Sequence, residues 1–466
     1  MNDQSGAEKN RNQTISELKQ LLNNRLETAG QVLAEHAGDV SHHPPQKPNA
    51  VAFPESNEEV AKIVQICANY CTPIIPYGIG SAVEGGVVAI HGGICVDTKS
   101  MNHILDVSPV NQDAIVQAGV TRMQLNDHLS GNYPGLFFPL DPGADASLGG
   151  MSATNASGSA AVKYGMMRDN VLGLTVVTAD GNIIRTGGRA KKSSSGYDLT
   201  NLFVGSEGTL GIITEITVKL THLPQSVTAA ICPFPDISSA INSTIEMKSA
   251  GIPLARMELL DEVQMGAVNR YSKLSYQESP TLFLEFHGTE FDLTEQTEKV
   301  GTIAKKHGAL DFQWASEQAD RDKLWQARYD AYYASLNLKV NGAGFVTDVC
   351  VPISQLAECI LWTKDLLKET EIPCPLFGHV GDGNYHVVFV IDPENPSELE
   401  EVKNFSKQIV DHALKVGGTC SGEHGIGIGK LDALEKEHGQ AIHTMRAIKR
   451  ALDPNNIMNP GKVLEV

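Results

Sequence analysis

The side chains of this sequence best suited to bind a cation or move a proton are His379, His386, Glu423 and His424. The first two lie in Phe377-Gly378-His379-Val380-Gly381-Asp382-Gly383-Asn384-Tyr385-His386. Seven residues apart on a helix, they would share a face. Three glycines exclude a helix, so the segment reads as a loop running into a strand from Val387 to Ile391. Further on, Ser421-Gly422-Glu423-His424-Gly425-Ile426-Gly427 sets a carboxylate beside an imidazole among glycines. Two histidines and a glutamate are the ligand types of a divalent site that keeps positions open for substrate. For any one of these histidines alone, a hydrogen-bonded loop residue is the plainer reading. Leu324-Trp325-Gln326-Ala327-Arg328-Tyr329 is helical by pattern. By itself its Arg328 reads as an ordinary solvated charge.

Two glycine-rich stretches suggest a nucleotide. One is Pro76-Tyr77-Gly78-Ile79-Gly80-Ser81-Ala82-Val83-Glu84-Gly85-Gly86. Its backbone can approach a phosphate closely and offer N–H groups. A Rossmann loop does not fit: the third glycine is misplaced, and Gly85-Gly86 oppose the helix that must start there. The other stretch runs from Pro139 to Gly158 and has hardly a bulky side chain. It cannot fill a core, but it suits a cofactor lying against the backbone.

The elements that must position these groups form an α+β chain. Ile15, Leu18, Leu22 and Leu26 mark an opening amphipathic helix that packs on the protein, its polar face not being notably basic. His42-His43-Pro44-Pro45 reads as a solvent-exposed loop. Ser56 caps a helix with Glu59 three residues on, and Val60, Ile63, Val64 and Cys67 form its stripe. Strands are expected at Ile74-Ile75, Gly93 to Asp97, Ala114 to Ala118, and Ile212 to Leu220, with a hairpin around Asp180-Gly181. Beyond about residue 225 longer helices (236–250, 292–307, 317–336, 354–370 and 397–416) separate short strands. The expected organisation is an N-terminal helix and loop (1–44), a cofactor domain (45–222), a substrate and metal domain (223–424), and a helical segment returning to the first domain (425–466).

Composition narrows the partners. The chain of 466 residues carries 37 basic and 55 acidic side chains, a formal charge of −18. Nucleic acid is excluded, because phosphate binding needs clustered Lys and Arg. Eight cysteines without a C-x-x-C pair read as buried free thiols in a reducing compartment. No apolar run reaches a membrane span and the first residues lack a signal-peptide core, so a soluble cytoplasmic protein is expected. Peripheral contact with the inner membrane and a homodimer stay open.

The two glycine stretches together, and Phe203-Val204-Gly205-Ser206-Glu207-Gly208-Thr209-Leu210-Gly211-Ile212-Ile213, resemble the FAD-binding (PCMH-type) domain of the vanillyl-alcohol oxidase superfamily. The resemblance implies that the first loop (Tyr77, Gly78, Ile79, Gly80, Ser81, Ala82) cradles the pyrophosphate. Ser147, Gly149, Gly150, Ala153, Thr154, Ser157 and Gly158 would follow the ribityl chain and flavin ring. Gly211 and Ile212 would lie near the adenine. Pro139, Asp141, Gly143, Ala144, Gly165, Glu207 and Asn459 complete the implied FAD contacts. Covalent relatives carry a histidine in the first loop; Ser81 and Ala82 stand here, which implies noncovalent FAD. The histidine segments are similar to the FAD-linked 2-hydroxy-acid dehydrogenases, from about residue 45 to the end. That implies His379, His386 and Glu423 as ligands of zinc, manganese or iron, His424 as the free base, and Arg328 as the grip on the substrate carboxylate. Relatives acting on dicarboxylates carry a lysine where Val346 stands. The Asp348 to Pro352 and Ala144 to Ser147 segments look most like the D-lactate branch. The implied activity is oxidation of D-lactate, with electrons passed to a quinone or cytochrome. Glycolate or D-2-hydroxyglutarate oxidation, a flavin-binding non-catalytic subunit, and a metal-dependent hydrolase of nucleotides are the alternatives.

Overall fold

Leu18 and Leu22 are buried to 1% or less, so the stripe of the opening helix, Asn2–Leu22, is core; Leu26, expected to continue it, is as deeply buried but lies in the strand Leu26–Glu27, because the helix has already ended. The structure, a computed structural model, describes residues Asn2–Val466. The chain divides into two units. One holds the residues up to Ser157, Gly165–Leu223 and Glu423–Val466; the other holds Gly158–Tyr164 and Pro224–Gly422. The short piece Gly158–Tyr164, expected with the cofactor domain, sits with the second unit instead.

In the first unit a four-stranded sheet runs in the order Leu26–Glu27, Ala50–Ala52, Ile94–Asp97, Ile74–Tyr77, and its last three strands are parallel. Helix Asn57–Asn69 covers it, capped by Ser56 accepting from the Glu59 N–H and burying Val60, Ile63, Val64 and Cys67. A five-stranded antiparallel sheet (Ile104–Ser108, Asp113–Gln117, Ile212–Lys219, Val171–Val177, Ile183–Gly187) builds the other layer. The C-terminal segment joins the small sheet, where the Ile74 N–H donates to the Ile457 carbonyl.

The second unit is one eight-stranded sheet. Its strands follow the order Gln313–Ala315, Ser226–Pro233, Thr281–Gly288, Arg256–Leu260, Leu376–Gly378, Asn384–Ile391, Ala343–Val346, and Val349–Cys350 pairs beside Asn384–Ile391. Helices Glu262–Ser272, Gln318–Tyr329 and Ala331–Leu336 cover one face.

Four readings are corrected. The helix expected over 317–336 breaks at Asp330 into two. Helix Glu262–Ser272, started by the Asp261 cap, was not anticipated. The strand expected from Val387 begins at Asn384, because Val349–Cys350 pairs with Tyr385 and Asn384, so His386 lies in a strand and not in a loop. His42 and His43 are half-buried with rings 4.2 Å apart, not solvent-exposed. Cys67, Cys95, Cys232, Cys359 and Cys420 are buried and no disulfide joins any of the eight cysteines, but Cys71 is exposed.

Candidate active site

The first unit brings the three glycine signatures together. A Cβ on Gly78 would overlap the Ser147 hydroxyl, and one on Gly208 would come within 2.7 Å of Pro76. The Gly205 and Glu207 N–H groups donate to the Ser152 and Ala153 carbonyls at 2.9 and 2.8 Å. Within the second stretch, Leu148–Thr154 is a short helix capped by Ser147, which accepts from the Gly150 N–H. Gly149 lets that helix press on Ala118, where a Cβ would stand 2.6 Å away. Asn155 ends it in the left-handed region at φ 52°.

Several implied FAD residues serve as struts of this cradle. Asn459 (φ 42°, 1% exposed) donates to the Gly86 carbonyl at 2.9 Å and the Glu207 carbonyl at 2.8 Å. The Glu207 carboxylate accepts from the N–H groups of Ile426 (2.6 Å) and Gly427 (2.9 Å). Burial raises its pKa, and these two donors only partly oppose the rise. Gly211 and Ile212 lie in the interior, Ile212 in the core with Leu18 and Leu22. Ile79, Gly143 and Ala144 stay exposed, and Gly80, Ser81, Ala82 and Thr154 are half-exposed. Pro139 and Asp141 are buried, and Gly165 turns the chain at φ 78°. Tyr77 packs on His36 with ring centroids 4.6 Å apart, and burial lifts its phenol to about 12. Small residues along a partly open, glycine-dependent loop fit a cofactor that lies on backbone.

The second unit gathers the polar side chains on one face of its sheet. Residues directly opposite each other share a face, and so do residues two apart on a strand. Register sets Leu259 against Gly378 and Phe377 against His386, which brings Glu258, His379 and His386 to the same side. Glu258 is fully buried. One of its oxygens takes the His379 Nδ1 at 2.7 Å. The other takes the Arg328 Nε at 2.8 Å and Nη2 at 2.7 Å. Burial pushes the Glu258 carboxyl up, but His379 and Arg328 more than offset this and hold it below its ordinary value. Arg328 lies over the Phe377 ring at 4.9 Å. It is therefore not the solvated charge of the plain reading. His386 is 2% exposed and its Nδ1 is 3.1 Å from the Thr347 carbonyl. The two imidazoles meet edge to face, centroids 5.6 Å apart at 86°. Nδ1 of each ring meets an acceptor, the outer partner expected of metal-binding imidazoles.

Asp348 braces the neighbouring loop, accepting from Asn384 at 2.8 Å and from the Ser421 hydroxyl at 3.0 Å. A Cβ on Gly422 would collide with both Asn384 and Asp348. The loop is thus held up to the residue that precedes Glu423. Glu423 and His424 open the returning segment of the first unit, both half-buried, with His424 Nε2 3.9 Å from the Glu423 carboxylate.

Glu258 was missed in the sequence. Its signal is weak but present: Arg256-Met257-Glu258-Leu259-Leu260 alternates charge and apolar bulk before turning apolar, so a strand there must point two charges inward.

Comparison with known proteins gives the family. Residues 223–463 match the family of FAD linked oxidases, C-terminal domain, and residues 48–187 match an FAD binding domain. The chain belongs to the FAD-linked oxidases. A probable mitochondrial D-lactate dehydrogenase of Danio rerio is 48% identical over 93% of this chain and 88% of its own length. A mitochondrial D-lactate dehydrogenase [cytochrome] of Arabidopsis thaliana is 44% identical over 97% and 80%. The solved 4-ethylphenol oxidase from Gulosibacter chungangensis shares the fold, with a TM-score of 0.82 at 19% identity over 98% of this chain and 97% of that one. This member of the FAD-linked oxidases is an FAD-dependent oxidoreductase of the PCMH-type, α+β architecture. Among the described residues no helix is long and apolar enough to cross a membrane.

Proposed function

We propose that this protein oxidises D-lactate, or a D-2-hydroxy acid of similar size, to the 2-keto acid. It does so with noncovalent FAD and a divalent cation, and passes the electrons to a cytochrome or quinone. The observation that carries the reading is the buried row of Arg328, Glu258, His379 and His386 on one sheet face. The bound flavin supplies the acceptor for the C2 hydride, and the cation supplies Lewis-acid polarisation of the C2 hydroxyl. His379, His386 and Glu423 would hold that cation. Arg328, with Nε and Nη2 turned to Glu258, keeps Nη1 for the substrate carboxylate. His424 removes the hydroxyl proton. Val346 stands where a second carboxylate would need a cation, which favours a monocarboxylate. Eight cysteines joined by no disulfide support a reducing compartment.

The test is anaerobic addition of D-lactate to the purified yellow protein, with flavin absorbance near 450 nm followed in a stopped-flow spectrometer. Rapid bleaching by D-lactate, much faster than by L-lactate or D-2-hydroxyglutarate, is expected. Bleaching by glycolate or hydroxyglutarate instead would reassign the substrate. A yellow protein that no hydroxy acid bleaches would be a non-catalytic subunit, and a colourless one would leave only the hydrolase.

A further inference from the structure

Glu258 lies in a strand paired with Thr281–Gly288 and has no solvent to screen its side chain. A lone buried carboxylate is costly, so its position has to be matched by partners on both oxygens. Those partners are a metal-binding imidazole on one side and a carboxylate-binding guanidinium on the other, each at 2.7–2.8 Å. Arg328 comes from the helix Gln318–Tyr329 and His379 from the end of strand Leu376–Gly378. No other contact described above ties these two side chains to one atom group. The Phe377 ring lies under Arg328 and beside His386, which limits how far the guanidinium can swing if the carboxylate is lost.

We propose that Glu258 is the positioning residue that fixes a metal ligand and the substrate-carboxylate grip against each other, so that one buried anion sets the distance between cation and substrate. Oε1 orients the His379 ring through Nδ1. Oε2 holds Arg328 by two N–H groups and aims its remaining Nη1. Because one carboxylate serves both, a change at Arg328 is felt at the metal although Arg328 is not a ligand. The inference rests on the roles proposed for His379 and Arg328.

The experiment uses FAD-loaded protein stripped of metal with a chelator and titrated with Zn²⁺ against a chromophoric competitor. The wild type should take up one zinc per chain and His379→Ala should not. If wild-type protein takes up no zinc, or His379→Ala binds it equally well, the metal reading fails and Glu258's role falls with it, before any change at Glu258. Given a metal site, Glu258→Gln should weaken zinc by roughly 10–100-fold, as loss of such an outer partner does, and raise the KM for D-lactate, with FAD content unchanged. Arg328→Lys keeps the charge but loses the two-point fork, and should shift the zinc Kd several-fold in the wild-type background. In the Glu258→Gln background that shift should vanish. An unchanged zinc Kd in Glu258→Gln overturns the proposal, as does an Arg328→Lys shift of equal size in both backgrounds. If Glu258→Gln fails to retain FAD, Arg328→Lys alone decides: a wild-type zinc Kd there also overturns it.

Discussion

Lys462 offers a prediction with a definite sign. It is 2% exposed, and its ammonium finds the Asn459 Oδ1 at 3.3 Å and the Pro460 carbonyl at 3.5 Å. Burial pushes its pKa from the usual 10.5 down to about 8, opposed only in part by the more distant Glu207 and Asp39 carboxylates. The gap of about 2.5 pH units, at ~1.4 kcal/mol each, is a cost of roughly 3–4 kcal/mol for keeping this lysine charged in the folded state. A depressed lysine binds fewer protons folded than unfolded between pH 8 and 10.5, so stability rises through that window, and below pH 8 the full cost is present. Lys462→Met keeps the length of the side chain and removes the titration. At pH 7 the variant should be the more stable by at most roughly 3–4 kcal/mol, less whatever the two carbonyl contacts contribute. Its advantage should shrink steadily toward pH 10.5. Urea denaturation of both proteins at pH 7, 8.5 and 10, with FAD at one saturating concentration, measures the difference, and every other titrating group cancels in it. A stability difference that does not change with pH would refute the reasoning.

The remaining predictions concern both units. Asn459→Ala strands the buried Glu207 carbonyl and unpairs the part-buried Gly86 carbonyl, and should cost roughly 1–3 kcal/mol, read as release of FAD at lower urea concentration; wild-type retention would show that the cradle does not depend on this strut. Arg328→Ala leaves the buried Glu258 with His379 alone and should destabilise the second unit by about 3–5 kcal/mol, so a melting temperature equal to wild type would place the pair nearer solvent than its 12% exposure indicates. Val346→Lys should move kcat/KM toward D-2-hydroxyglutarate, and a wild-type preference in that variant would remove Val346 from specificity. His424→Ala should keep FAD and metal yet slow flavin reduction by about 10²–10⁴-fold; loss of metal would make His424 a ligand, and the parental rate would exclude it as the base.

Legibility in the sequence followed the locality of the cause. Ser56, Glu59 and the Val60-Ile63-Val64-Cys67 stripe specify a helix within one window, and the structure forms it from Asn57 to Asn69. The glycine signatures were legible because close packing leaves few alternatives: Gly78, Gly149 and Gly208 each stand where a Cβ would clash. Helix Glu262–Ser272 was not, since Gly266 interrupts its periodicity and its cap, Asp261, looks like any strand-end aspartate. The early start of strand Asn384–Ile391 depends on pairing with Val349–Cys350, some thirty-five residues away. Glu258 was invisible for the same reason, because what makes it special is the arrival of Arg328 and His379 from 70 and 121 positions along the chain.

The Arg328–Glu258–His379 set has a counterpart on the same sheet face. Arg256, two residues before Glu258, stands opposite Glu285, and their side chains approach to 3.4 Å. Glu285 in turn accepts from His287 at 2.9 Å, and His287 meets the Tyr164 hydroxyl at 2.7 Å. Burial pushes the Glu285 carboxyl up, but His287 and Arg256 outweigh it, so the group stays ionised well into acid. Each set is a guanidinium, a buried carboxylate and an imidazole; the first takes its guanidinium from helix Gln318–Tyr329, the second lies wholly on the paired strands Arg256–Leu260 and Thr281–Gly288. Stability does not explain two of them. A buried ion pair roughly breaks even against well-packed apolar groups, and this face already packs Phe283, Leu260, Phe377 and Val388 a few residues away. What paired charges supply and leucines do not is a fixed direction for each N–H and each lone pair. Breaking either carboxylate should therefore cost more than replacing its whole set with apolar residues. A triple Arg256→Met, Glu285→Leu, His287→Leu variant that stays folded, while Glu285→Ala does not, would place that set where the argument puts it, holding geometry and not the fold. The reverse result, a folded Glu285→Ala and an unfolded triple variant, would mean that the sheet needs those charges to assemble.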